Sequence, residues 1–187
     1  QHVHNIDVFL WMSGLKVKSA TAVGSRQRRI TGDQFDNFSV DFECENGVHF
    51  HSMCRQIDGC SNGIGEIIYG TKGSWNSFDH EIKDLSGNVI WKYNEEEQNA
   101  LFQQHNPYVL EHVDAINHIR KGEGLDEATA CAISTLAGVM GREAAYSGAT
   151  VTWDEMSQSD LNYMPEKLEL GKMDMSQYIV MTPGKAK

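Results

Sequence analysis

The sequence predicts an α+β fold: a large, mostly antiparallel, open-faced sheet with helices packed on one face. Three features predict it. Short stretches of period-two apolar residues joined by tight turns fill the first half, two segments of helical period fill the second, and residues 35–55 read as one hairpin. Strand runs followed by helix runs give a sheet with its helices segregated to one side.

The hairpin orders the rest. Phe38, Val40, Phe42 and Cys44 alternate, as do Val48, Phe50, Ser52 and Cys54 beyond Glu45-Asn46-Gly47. A two-residue Asn46-Gly47 turn would place Phe42 on the same face as His49 and His51, whereas a three-residue loop aligns it with Val48, Phe50 and Cys54. The longer loop keeps one face apolar, and a type I turn with a left-handed Gly47 bulge is expected, at the sheet centre. The other face then carries Asp41, Glu43, His49, His51 and Met53, half wet.

In chain order, Val3, Ile6 and Leu10 keep helical spacing up to Gly14, a natural terminator. Lys16 to Gln27 reads as a strand, with Val17, Ser19, Thr21 and Val23 on one alternation and Ala20 and Ala22 on the other. Arg28 to Asp36 is a polar loop. The glycines between Gly59 and Gly65 forbid a regular element, after which Glu66–Tyr69, Trp75–Phe78, Glu81–Leu85 and Val89–Tyr93 read as a meander. Gln98 to Asn106 is polar. Pro107 opens a helix striped by Val109, Val113 and Ile116 and closed by Gly122. Asp126 caps a longer helix, striped by Ile133, Leu136, Met140 and Ala144, whose many small residues invite close packing. Thr152 and Glu155 form a capping box for a final short turn. From Ser159 the period is lost, so the domain is read as 1–158 with an arm over 159–187.

Composition excludes some functions. The 187 residues carry a net charge of -10, Lys+Arg 16 against Asp+Glu 26, so a phosphate backbone is a poor partner; RQRR at 26–29 is a short basic exception. No apolar run is long enough to span a bilayer. Cys44, Cys54, Cys60 and Cys131 show neither a metal spacing nor a dense staple pattern and read as small apolar residues. The chain opens at Gln1 directly into helix-like sequence, which suggests a leader or preceding domain upstream. The compartment is left open between cytoplasm and periplasm.

Several clusters could carry chemistry. His4 and Asp7 share a helix face, and such a pair can orient an imidazole that moves protons at a hydroxyl. His51 and Arg55 are expected to line a polar pocket on the open face, and Arg55 with Gln56 stands where a strand runs into a glycine-rich loop, a frequent place for substrate contacts. His49 and His51 with Cys54 are zinc-capable types, but the alternation puts Cys54 on the opposite side, and no metal site is expected. The glycines contain neither GxGxxG before a helix nor a Walker sequence, so no cofactor-binding residue is named in this chain. A sheet covered on one side must protect the other, and Phe78, Trp91 and Tyr93 are large groups in its later strands, which points to a homodimer through the open face.

The stretches HVHNIDVFLWMSG at 2–14, YGTKG at 69–73, NPYVLEHVDAINHIRKGEG at 106–124 and STLAGVMGREAAYSGATVTWDEM at 134–156 together resemble the C-terminal domain of the Gfo/Idh/MocA oxidoreductases. The resemblance implies that His4-Asn5-Ile6-Asp7 is the family's HxxD motif, with His4 handling the substrate hydroxyl proton and Asp7 its companion. It implies a sugar or polyol substrate, NAD or NADP in the full-length parent, and an N-terminal Rossmann domain that is absent here, leaving this fragment inert alone. It also implies a domain that shapes the substrate site and mediates dimer or tetramer contacts. An NAD-dependent glycoside hydrolase of the same family, or a non-enzymatic assembly module, would show the same stretches.

Overall fold

The computed structural model describes residues 2–97, 106–165, 167–172, 174–176 and 178–185. The polar stretch expected over 98–106 falls outside them except at Asn106. The elements are α1 (Val3–Ser13), β1 (Val17–Ser25), β2 (Asn37–Cys44), β3 (His49–Arg55), β4 (Ile67–Gly70), β5 (Gly73–Asn76), β6 (Glu81–Asp84), β7 (Val89–Lys92), α2 (Pro107–Lys121), α3 (Ala128–Ser147), β8 (Val151–Thr152) and α4 (Trp153–Ser157). Strand pairings among the described residues are all antiparallel, and the fold is α+β with helices laid on a sheet. The strands divide between two four-stranded sheets, β3-β2-β1-β8 and β4-β5-β6-β7. The chain forms two compact units, 1–62 with 130–187, and 63–129.

The first unit holds the main core. Phe42 pairs with Phe50 and Ala20, Val40 with Ser52 and Ala22, so these residues share a face. Phe42, Ala20, Cys44, Met140, Ala137 and Ala144 are fully enclosed there. Both α1 and α3 lie on this face. Phe9 of α1 stacks on Phe50 at 4.3 Å between ring centres, and Phe50 on Phe42 at 4.5 Å. On α3, a Cβ added at Gly141 would stand 3.1 Å from both Phe42 and Val40, so the helix backbone rides directly on the sheet. Val17, three residues from Ala20, is buried with it because a bulge between Val17 and Ser19 shifts the alternation.

The hairpin loop has the expected three residues, since Glu43 faces His49 and the Cys44 amide donates to the Val48 carbonyl at 2.7 Å. Its turn differs from type I: Asn46 (φ 69) and Gly47 (φ 70) are both left-handed, a conformation asparagine tolerates. The hairpin is also off-centre, because β3 is an edge strand and β2 and β1 are the inner pair. Periodicity reveals faces but carries no neighbour order.

In the second unit, Ile68, Trp75, Ile82 and Trp91 follow one another across β4 to β7 as a cross-strand apolar row. The Asp84 carboxylate accepts the amides of Ser86 and Asn88 and so shapes the β6–β7 turn. Helix α2 starts at Asn106, whose side chain caps the Tyr108 amide at 3.0 Å, and ends on Gly122 as predicted. It has no buried residue: Val109, Val113 and Ile116 are 40–46% exposed. No helix among the described residues is long and apolar enough to cross a membrane.

Candidate functional site

The site begins at α1. Its C-terminus is set by Gly14 (φ 65), whose amide donates to the Leu10 carbonyl. A short connection then enters β1, so α1 runs back over the sheet from the start of β1. His4 stands five residues before Phe9, about 7.5 Å along the helix axis, or roughly two strand residues. With Phe9 anchored over Phe50, this sets His4 about level with Ser52, about three strand residues short of Arg55. The His4 side chain is exposed and has no hydrogen-bond partner among the described residues.

Asp7 sits on the same helix, but its partner comes from far along the chain. The buried Ser134 hydroxyl of α3 donates to Asp7 Oδ1 at 2.5 Å. The pair expected from the spacing is therefore not joined directly: Asp7 is held by Ser134, and His4 stands exposed one turn away. Nothing in local sequence pattern pointed to Ser134, which is separated from Asp7 by 127 positions.

Arg55 and Gln56 close β3. The Arg55 guanidinium donates to the Ser61 carbonyl at 2.8 Å and so fixes the first turn of the glycine-rich loop. The Gln56 amide donates to the Asp36 carbonyl at 2.8 Å, tying the end of β3 to the β1–β2 loop, and its side chain is exposed.

His51 shares the strand face of Arg55. It neighbours Phe50, and strand alternation turns it to the uncovered side of the sheet, with the sheet between it and α1. There its Nε2 meets Ser39 Oγ at 2.8 Å, beside His49 Nδ1 on Asp41 at 2.8 Å. Lys18 on Glu43 at 2.7 Å, Ser19 on Glu43 at 3.1 Å and Thr21 with Thr150 at 3.0 Å continue this polar surface. Strand parity puts Arg55 on the same uncovered face as His51, with Gln56 just beyond the end of β3, while His4 and Asp7 stand on α1 on the helix-covered side.

One residue that sequence reading passed over controls this end. Asp36 is 3% exposed, and its carboxylate accepts the amides of Gln27, Arg28 and Arg29 at 2.7–3.0 Å and the Asn37 side chain at 3.0 Å. Burial pushes its pKa up, but these donors outweigh burial and hold it well below the usual carboxylate range. Arg26 closes the same loop, donating to the carbonyls of Arg29 and Gly32.

Among the described residues no cluster of His, Cys, Asp and Glu could hold a metal ion. A dinucleotide cradle needs parallel strands joined by a glycine-rich turn and helix; these residues, with antiparallel pairings only, do not fit one.

Comparison with known proteins agrees with this architecture. Residues 1–76 match the family model described as GFO/IDH/MocA C-terminal domain. Among solved structures, an oxidoreductase from Thermotoga maritima aligns with a TM-score of 0.62 at 20% identity, over 83% of this chain and 43% of that one. The scyllo-inositol dehydrogenase of Lactobacillus casei, solved with NAD(H) and scyllo-inositol, aligns at 0.57 and 18%, over 80% and 46%. The aldose-aldose oxidoreductase of Caulobacter crescentus, complexed with glycerol, aligns at 0.62 and 14%, over 81% and 45%. At such identities the likeness is one of fold, and the chain spans less than half the length of each. No curated protein sequence matches. The chain thus matches the GFO/IDH/MocA C-terminal domain directly, over residues 1–76, in the fold that these oxidoreductases share.

Proposed function

We propose that this chain is the substrate-binding and dimerisation domain of an NAD(P)-dependent oxidoreductase acting on a sugar or polyol hydroxyl. The observation that carries the reading is the exposed His4 imidazole on α1, one helical turn from Asp7, whose carboxylate is fixed by Ser134. In this reading His4 accepts the hydroxyl proton of the substrate, since an imidazole near neutral pH is matched to that transfer. Asp7 favours the imidazolium as it forms. Arg55 and Gln56 donate to further substrate hydroxyls. In this reading the nicotinamide is held by a nucleotide domain, since the described residues pair only as antiparallel strands.

The open face of the first sheet supports self-association. It is lined by paired hydroxyl, carboxylate and imidazole groups, including the exposed His49 and His51. In the second unit Phe78, Trp91 and Tyr93 remain 58%, 46% and 39% exposed. We infer a homodimer through these faces.

The test is turnover by the longer protein that joins this chain to a nucleotide domain, assayed with NAD and NADP against a panel of sugars and polyols. Reduction of the nicotinamide by at least one member is the expected result. Cleavage of an aryl glycoside without net reduction would instead assign a hydrolase, and absence of both activities would leave an assembly module.

A further inference from the structure

A chain of net charge -10 repels anions over most of its surface, yet residues 26–36 hold Arg26, Arg28 and Arg29 against Asp33 and Asp36. The use made of these groups is uneven. Arg26 spends its guanidinium on the loop's own carbonyls. Asp36 is buried under the loop and spends its carboxylate on three consecutive backbone amides. Arg28 and Arg29 are exposed, and among the described residues their guanidinium groups have no hydrogen-bond or ion-pair partner. The buried anion therefore fixes the backbone of a loop that presents two unspent cations.

The position of that loop matters as much as its charge. It joins β1 to β2, at the sheet end reached by the last residue of β3, because Asn37 pairs with Arg55. Asp36 links the two directly: its side chain holds residues 27–29 and its carbonyl accepts the Gln56 amide. Arg28 and Arg29 are thus tied through one residue to the proposed substrate contacts. Two guanidinium groups on a pinned backbone suit an oxyanion, which each can bind through parallel N–H donors with little further ordering.

We propose that Arg28 and Arg29 form an anion subsite beside Arg55 and Gln56, so that the substrate is a carbohydrate bearing a phosphate or carboxylate. The proposal rests on the sugar-site reading above and narrows it.

Nuclear magnetic resonance titration of the chain with glucose 6-phosphate, gluconate, glucose and inorganic phosphate tests it. Expected are binding of an anionic sugar about tenfold to a hundredfold tighter than glucose, as charge-assisted hydrogen bonds provide, with shifts at the amides of residues 27–29 and 56. The Arg28→Gln/Arg29→Gln variant should lose that preference while keeping its melting temperature, since both side chains are exposed. Gluconate and glucose 6-phosphate separate a carboxylate from a phosphate. Equal affinity for neutral and anionic sugars, a preference that survives the double substitution, or no binding of either anionic sugar overturns the subsite. Anion binding at residues 27–29 without any sugar-dependent shift at residues 55–56 would uphold the subsite and remove the sugar reading instead.

Discussion

Two carboxylates show how far a residue's role depends on partners remote in sequence. Asp7 was legible as a companion of His4 from its spacing, but its hydrogen bond comes from Ser134, which no local pattern connects to it. Asp36 carried no signal at all beyond standing at a strand edge, because three backbone amides are its partners and backbone amides are invisible in a sequence. Replacing Asp36 with alanine leaves those buried donors unsatisfied and should cost about 3 kcal/mol of stability, measured by denaturant unfolding. The pH dependence follows from the lowered pKa. The folded protein holds the Asp36 proton less tightly than the unfolded chain, so its contribution is complete above about pH 4 and fades as pH falls toward the lower native value. The Asp36→Asn variant should accordingly show a flatter stability curve below pH 4 than the wild type.

Elements were legible where a cap or a period marks them. Gly14, Pro107, Gly122 and the Thr152–Glu155 capping box all end or begin helices where expected, and Asn106 supplies a cap ahead of Pro107. Boundaries blurred where pairing decides, so Trp75–Phe78 became Gly73–Asn76: hydrogen bonding to β4 and β6 settled a choice that side-chain alternation leaves open. The stripe on α3 was read correctly at Met140 and Ala144, while Ile133 is 39% exposed because the small residues, Ala137 and Gly141 above all, make the closest approach to the sheet. Gly141→Val would drive a branched side chain against Phe42 and Val40 and should lower stability by about 1–3 kcal/mol, read from thermal unfolding.

The C-terminal arm adds a second test at this scale. The Tyr163 hydroxyl donates to Glu143 Oε1 at 2.6 Å, and Arg142 lies 4.2 Å over its ring. Burial together with the Glu143 carboxylate pushes the phenol up to about 12. A raised pKa contributes stability fully present below the ordinary tyrosine value of about 10 and lost as pH rises toward 12. Phenolate absorbance should show a late-titrating tyrosine that disappears in Tyr163→Phe.

For the whole molecule, the fold class was legible because alternation, glycine turns and helical stripes agree in direction, a consistency that foldable sequences share. The division into two sheets was hidden, since a meander reads the same whether its strands continue one sheet or start another. Strand parity keeps His51 and Arg55 on one face, across the sheet from His4 and Asp7 of α1, a separation that the order of residues along the chain does not reveal. The proposed homodimer has a direct test: light scattering should return about twice the 21.0 kDa chain mass. Monomer alone at tens of micromolar would count against the homodimer.

All functional statements converge on the imidazole at the end of α1. The measurement that bears on it most directly is the steady-state rate of the longer protein carrying His4→Asn, compared with wild type on the same sugar and nucleotide. Loss of a general base predicts that kcat falls by about 10²–10⁴ while substrate affinity stays within a few-fold; a variant that turns over at the wild-type rate would contradict the account.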